Sequence, residues 1–452
     1  MPGSVSAHGR LRRTPRPPDV GPSRARIDER LATAGLPPLP RLAWLEIDLD
    51  AITGNLRAIR SIVGDGILVE PVVKADAYGH GAVPIALALE QAGADGFCVA
   101  ALDEGVALRR GGVRAPILTL YPIPPDQVAE AARRRIAVAS GGGPAQERLL
   151  AAAAALVGRG LPHLAVHLEV ETGLGRGGAT VDEVGAAARA IADHPIARLA
   201  GLWTHLQAAE HAPTTTRQME RFDAAVEALR RAGIEVPRRH VAASAMILSD
   251  GLSAHDAVRP GLSIYGIAPE ELGADGPDRG ALAGLRPAMS LHARPVRVID
   301  LPAGWGIGYG PSFVTSRPSR LATLPLGYGD GWARSLTNRA TALVRGRHVP
   351  LVGNVSMDGI VADVTDVPGG PVTLDDEFVL LGSQGPETIT GLDVARMRTT
   401  NTWEVVTGMA QRLPRVYHAA SDVVGVRTLL SGEPTWRVSN AGTGTSAISR
   451  ST

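Results

Sequence analysis

From residue 42 onward, short apolar runs alternate with stretches of helical period. The runs LVEPVVK (68–74), GFCVA (96–100), APILTL (115–120), IAVAS (136–140), HLAVHLEVE (163–171), LAGLWTH (199–205), HVAAS (240–244) and AVRPG (257–261) have the length and apolar content of strands. Helix-like segments such as VPIALALEQAG (83–93) and TRQMERFDAAVEALRRAG (216–233) lie between them. Repeats of this parallel type predict an α/β architecture, a closed (β/α)8 TIM-type barrel. An open doubly wound sheet is the alternative, weakened because no G-x-G-x-x-G follows an early strand.

After about residue 285 the runs become short, β-like and punctuated by Gly, Pro and Asp: SLHARPVRVI, RLATLPLG, ATALVRG, VPLVG, GIVADVT and EFVLLG. They predict a mainly-β C-terminal domain. The reading divides the chain into an N-terminal extension (1–41) without sustained period, expected to be disordered, the barrel (42–284), the β domain (285–432) and a flexible tail (433–452). LAWLEIDL (42–49) alternates polar and apolar positions and can pair with the β domain.

Composition narrows the function. A net charge of +1 leaves no footprint for nucleic acid. LLAAAAALVG (149–158) is the longest apolar stretch and is too short to span a bilayer. Arg12 and Arg13 look like a twin-arginine signal, but no apolar segment follows, so a cytoplasmic address is expected. Cys98 is the only cysteine, which excludes an internal disulfide and a cysteine-based metal cluster.

The barrel reading gives certain residues a meaning. Chemistry in such barrels sits at the C-terminal ends of the strands, with phosphate often held after the seventh and eighth. Lys74 ends the first predicted strand, Arg176 follows the fifth, His205 ends the sixth, Ser244 follows the seventh, and RPGL (259–262) ends the eighth. Taken singly, Lys74 reads as a lysine snorkelling from a strand end and His205 as a structural histidine. Together they place a lysine, two arginines, a histidine and a small-residue nest on one rim, which suggests a Schiff base with pyridoxal 5'-phosphate.

The motifs VVKADAYGHG, VHLEVETGLGRGG, GLWTH, VRPGLSIYG, GIGYG, LPLGYGDGW, GNVSMDGI and RLPRVY occur in this order over roughly residues 42–420. In that set and order the chain resembles the alanine racemases. The resemblance implies a pyridoxal phosphate-dependent isomerase of fold-type III, acting as a head-to-tail homodimer with sites shared between subunits. It implies racemisation of a small amino acid, L-alanine to D-alanine, by two bases. Lys74 would hold the cofactor and serve one face; Tyr309, from the other subunit, would serve the second. Tyr78, Ser244, Gly261 and Leu262 would hold the phosphate, with Trp403 beside them. Arg259 would face the pyridine nitrogen; because arginine stays protonated it can only donate, which favours reprotonation at the α-carbon. His205 and Arg259 would assist Tyr309 through a hydrogen-bonded chain. Arg176 and Met357 would receive the substrate carboxylate, Tyr328 would line the entrance, and Asp358 would support the Met357 loop.

The chain departs from the family pattern at several points. Glu169 stands where a lysine, carbamylated to carry negative charge, is common; a built-in carboxylate would face Arg176 without carbon dioxide, at longer reach. Glu171 replaces an aspartate, Ala243 an asparagine, Ser356 a cysteine, and Trp403 a phosphate-binding tyrosine. These changes keep two other readings in play: a racemase of another small amino acid such as serine, or a catalytically degenerate pyridoxal phosphate-binding homologue. A metal-dependent relative would need a partner for His418 at ligand spacing, and the sequence offers none.

Overall fold

The computed structural model describes residues 25–249, 254–269, 272 and 284–437. Asp48 ends strand β1 (Ala43–Asp48) and caps the next helix, accepting a hydrogen bond from the Ala51 N–H at 2.8 Å. That helix (Leu49–Val63) buries Leu49, Ile52, Leu56 and Ile59 as one stripe.

Eight short strands follow, each with helical segments before the next: β2 (Leu68–Val69), β3 (Phe97–Val99), β4 (Ile117–Thr119), β5 (Ile136–Ser140), β6 (Leu164–Glu169), β7 (Ala197–Trp203), β8 (Arg239–Ala243) and β9 (Ala257–Arg259). They pair in parallel in the order β2-β9-β8-β7-β6-β5-β4-β3, and a parallel bridge between Val72 and Cys98 joins the two ends. The sheet therefore closes into the barrel that the alternating pattern predicts. The first strand is shorter than its apolar run because Pro71 has no N–H to give the ladder.

The remaining strands are β10 (Met289–Ala293), β11 (Arg297–Leu301), β12 (Ser319–Leu324), β13 (Thr341–Val344), β14 (Arg347–Val352), β15 (Ile360–Asp363), β16 (Phe378–Gln384), β17 (Glu387–Ile389), β18 (Arg415–Ala419), β19 (Asp422–Arg427) and β20 (Thr435–Trp436). They build a mainly-β C-terminal region in which β1 sits between β10, antiparallel, and β18, parallel. Barrel and sheet are thus tied covalently at both ends of the barrel sequence.

The N-terminal extension differs from its expected disorder. Residues Ile27–Thr33 form a helix whose Ile27 and Leu31, with Leu36 beyond it, pack on Trp44, Val416, Val423 and Val426. Frequent Pro and Arg nearby dilute this short apolar stripe in the sequence. Polar contacts anchor it. Arg30 donates to His418 Nδ1 at 2.7 Å and to Glu46 at 3.4 Å, and Arg294 grips Asp28 through two bonds of 2.6 and 3.0 Å. At the other end, β20 pairs with β19 inside the stretch expected to be a loose tail, because Trp436 packs against Tyr417. Residues 1–24 and 438–452, the rest of those two segments, lie outside the described residues.

Leu31 is 1% exposed. Leu31→Ala should destabilise the protein by about 2–5 kcal/mol, read as a lowered urea midpoint; an unchanged midpoint would show that the helix does not dock in solution.

Candidate active site

Lys74 opens a turn of uncommon conformation. Ala75, Asp76, Ala77 and Tyr78 have φ of 51°, 56°, 53° and 52°, a full left-handed turn without glycine. Left-handed helix costs L-residues about 1–2 kcal/mol each, so the turn needs external support. Glu104 accepts the Ala75 N–H at 2.7 Å. His80, fully buried, directs Nδ1 at the carbonyls of Ala77 and Tyr78, both 3.0 Å away, and stacks on Tyr265. Two carbonyls can only accept, so Nδ1 carries the proton; burial, the main influence, lowers the His80 pKa to about 4 and keeps the ring neutral. At Gly79 a Cβ would meet the Val406 carbonyl oxygen at 2.3 Å, so the turn can pack there only with glycine.

Lys74 projects into a cavity of about 420 Å³ at the C-terminal rim of the barrel. Tyr78, Arg176, His205, Ser244 and Arg259 line it, as do Gly261, Leu262 and Trp403. Burial lowers the Lys74 pKa, and Arg176 adds to the effect. The amine is thereby easier to deprotonate than a surface lysine.

Arg259 forms the floor. Its Nη1 donates to His240 Nδ1 at 2.6 Å and to the His240 carbonyl at 2.7 Å; Nη2 donates to the carbonyls of Thr204 (2.9 Å) and Val241 (3.2 Å). The guanidinium also lies 5.0 Å from the Trp203 ring centroid. Arginine can only donate, so His240 accepts at Nδ1, carries its proton on Nε2, and donates to His167 Nδ1 at 2.8 Å. Both histidines are buried and neutral; burial brings His167 down to about 3. Gly201 makes room for this chain, since a Cβ there would meet His167 Nδ1 at 2.5 Å.

Among the described residues the hydrogen bonds of Arg259 run to His240 and to the carbonyls of Thr204 and Val241, and none runs to His205, the expected link. His205 instead feels Arg259 as a charge: burial first, then Arg259, Arg176 and Lys74, depress its pKa to about 3. Sequence reading missed His240 and His167. The signal was present, because strand alternation puts His167 on the same side of β6 as Glu169.

Glu169 is buried opposite Arg176 at 3.7 Å, beyond direct hydrogen-bond reach, as its short side chain suggests. Burial raises its pKa, against the lowering fields of Arg176 and Arg259. Glu171 shapes the loop instead. It accepts the N–H groups of Gly173 and Gly175 at 2.5 and 3.0 Å, and so presents Arg176, whose guanidinium lies 5.4 Å from the Tyr121 ring centroid.

Ser244 and Gly261 give the cavity a polar stretch of lining. Ser244 Oγ accepts the N–H of Gly261 at 2.9 Å and of Ser263 at 3.2 Å. A Cβ on Gly261 would meet the Tyr78 hydroxyl at 2.8 Å. The Ser244 and Tyr78 hydroxyls thus stand beside a glycine on the cavity lining, a polar setting that suits the oxygens of a phosphate group. Trp403 adds its ring to the same wall, where the indole N–H can donate but not accept.

Tyr309, Tyr328 and Met357 lie elsewhere, on an exposed face of the β region, 81%, 41% and 53% exposed. Asn354 holds the Tyr309 loop through the carbonyls of Tyr309 (2.7 Å) and Gly310 (3.0 Å). Arg412 ties the other two segments together, donating to Asp330 at 2.6 Å and to Asp358 at 2.8 Å, while Tyr328 N–H bonds the Ser356 carbonyl at 3.0 Å.

Two family models match the chain: alanine racemase, N-terminal domain, over residues 47–269, and alanine racemase, C-terminal domain, over residues 288–417. An alanine racemase of Symbiobacterium thermophilum is 40% identical over 379 residues, which is 83% of this chain and 97% of that relative. One of Halothermothrix orenii is 35% identical, over 84% of this chain and 97% of its own length. Among solved structures, the alanine racemase of Bacillus anthracis with bound L-Ala-P is similar with a TM-score of 0.80 at 32% identity, covering 87% of this chain and 100% of the other. The enzyme from a D-cycloserine-producing Streptomyces lavendulae gives 0.76 at 34% identity, covering 84% and 98%.

His205 should remain neutral from about pH 5 to about pH 9, because its pKa lies far below that of a free imidazole. Its ring 15N shifts should not titrate over that range; a midpoint above about pH 5 would contradict the burial argument.

Proposed function

The chain belongs to the alanine racemase family, a family of pyridoxal 5'-phosphate-dependent isomerases, and we propose that it interconverts L- and D-alanine by proton transfer between two bases, Lys74 and Tyr309 of the partner subunit. The observation that carries this reading is the convergence of Lys74, Arg176, Arg259, Tyr78, Ser244 and Gly261 on one cavity of the barrel. The residues present fit the cofactor. Lys74 would carry it, Tyr78, Ser244, Gly261 and Leu262 would hold its phosphate, Trp403 would flank it, and Arg259 would meet its ring nitrogen. When bound, the cofactor supplies an electron sink that acidifies the α-proton of an amino acid.

The protein's share is positioning and proton transfer. Lys74 Nζ, its pKa lowered by burial, takes or returns a proton on one face. The hydroxyl of Tyr309 of the partner subunit does so on the other. Arg176 and Met357 receive the substrate carboxylate, and Tyr328 bounds the entrance. Arg259 stays charged because arginine does so even when burial lowers its pKa. Its bonds to His240 and three carbonyls fix it as a donor. His205 stays neutral and adds no further cation to Lys74, Arg176 and Arg259. Glu169 balances Arg176 with a carboxylate of the chain's own. The exposure of Tyr309, Tyr328 and Met357, away from the chain's own Lys74 cavity, supports a head-to-tail homodimer with composite sites.

Incubation with pyridoxal 5'-phosphate and L-alanine in D2O should give α-deuterated D-alanine, and borohydride should fix a pyridoxyl mass on Lys74. Faster exchange with serine than with alanine would reassign the substrate. Label elsewhere, or none, would remove the reading. The shared site has its own test: Lys74→Ala and Tyr309→Phe proteins, each inactive alone, should on mixing regain about a quarter of wild-type activity, the share expected for random exchange in a two-fold dimer. Verified subunit exchange without activity would rule out composite sites.

A further inference from the structure

The geometry points to Asp76 and Arg427 as a positioning pair for Lys74, through which the C-terminal β-hairpin sets the direction of that side chain. This inference rests on the reading of Lys74 as the cofactor lysine. Asp76 stands in the middle of the left-handed turn, two residues after Lys74. Its carboxylate is held by both terminal nitrogens of Arg427, one at 2.9 Å, and accepts the Ala82 N–H at 2.8 Å. The pair is mostly buried, at 22% and 17% side-chain exposure.

Arg427 comes from β19, directly opposite Arg415 of β18 in the antiparallel register. Arg415 is fully buried and also grips the turn, with Nε donating to the Gly79 carbonyl at 3.0 Å. Its other nitrogens are tied to the carbonyls of Met409, Ala410 and Leu413, so it cannot follow a moving turn. The two cross-strand partners thus hold the turn at its middle and at its end. Tyr417, on the same hairpin, closes over Gly81, where a Cβ would meet its hydroxyl at 2.1 Å.

A left-handed turn of four non-glycine residues is not self-sustaining. Without Arg427, Asp76 would be a mostly buried carboxylate with one remaining donor from Ala82. The turn would then relax toward ordinary φ values, and Lys74, immediately before it, would swing with it. Arg427 touches neither substrate nor cofactor; it acts through the turn.

The experiment is a double-mutant cycle on the cofactor-loaded full chain, with kcat, KM and the dissociation constant of pyridoxal 5'-phosphate measured alongside thermal stability. Asp76→Asn and Arg427→Met should each lower kcat on the order of 10- to 100-fold, the scale of a small misplacement of a reacting group. KM for alanine should stay within about twofold, and cofactor binding should weaken. The double variant should be no worse than the poorer single, because both remove one contact. Arg427→Lys should recover part of the loss, since it restores charge without the two-pronged grip. If Arg427→Met does not fold, Asp76→Asn tests the same point, being nearly isosteric and still able to accept from Ala82. A lowered melting temperature with kcat within twofold of wild type would make the pair merely structural and overturn the proposal. Multiplying effects in the double variant would overturn it too. Borohydride labelling of Lys74 in the wild type separates the cases: label present with unaffected variants sinks only the positioning role, whereas absent label sinks the reading beneath it.

Discussion

A lysine just past a strand ordinarily turns away into solvent; here it lines a cavity, ahead of a piece of backbone that its own chemistry disfavours. Four successive residues adopt the mirror hand of the α-helix, at about 1–2 kcal/mol each. Nothing local in Ala-Asp-Ala-Tyr offsets that. The offset comes from neighbours: Glu104 on the first N–H, His80 on the last carbonyls, Arg427 on the carboxylate, Arg415 on the exit. The packing of the barrel against the C-terminal strands is therefore a condition of the site.

The cavity's electrostatics follow one rule: fixed positive charge surrounded by histidines kept neutral. Lys74, Arg176 and Arg259 share it. His205, at the wall, and His240 and His167, behind Arg259, are too buried and too near these cations to take up protons. The consequence is a cavity whose positive charge comes from Lys74, Arg176 and Arg259, offset by Glu169 opposite Arg176 and by Glu210 in the lining. The histidine chain also removes any freedom of tautomer behind Arg259, so its guanidinium is held by groups that can only accept from it.

Much of this was legible in the sequence because a barrel puts strand ends in one place. Lys74, Arg176, His205, Ser244 and Arg259 each follow an apolar run, and order along the chain became proximity on the rim. Other parts were hidden for physical reasons. Ala-Asp-Ala-Tyr carries no glycine, so nothing in it announces positive φ; part of its support comes from residues more than 300 positions away. His240 is the first residue of the run HVAAS, and its role depends on where Arg259 points. The N-terminal helix was masked because its apolar residues are few and its stability comes from Trp44 and Val416, which only the fold supplies. Tyr309 stood out only by its motif, since its exposure gives no sign of chemistry within one chain.

The bond between Asp76 and Arg427 spans 351 residues of sequence. On the ribosome, which makes the N-terminus first, the barrel and its lysine are complete in sequence long before the hairpin that holds the turn has been made. Loop closure over such a distance adds only a slow logarithmic cost, but it cannot happen before the last strands emerge. A nascent or prematurely terminated chain would carry the lysine without its aim. The support of the turn thus arrives late in synthesis, only once β18 and β19 have been made.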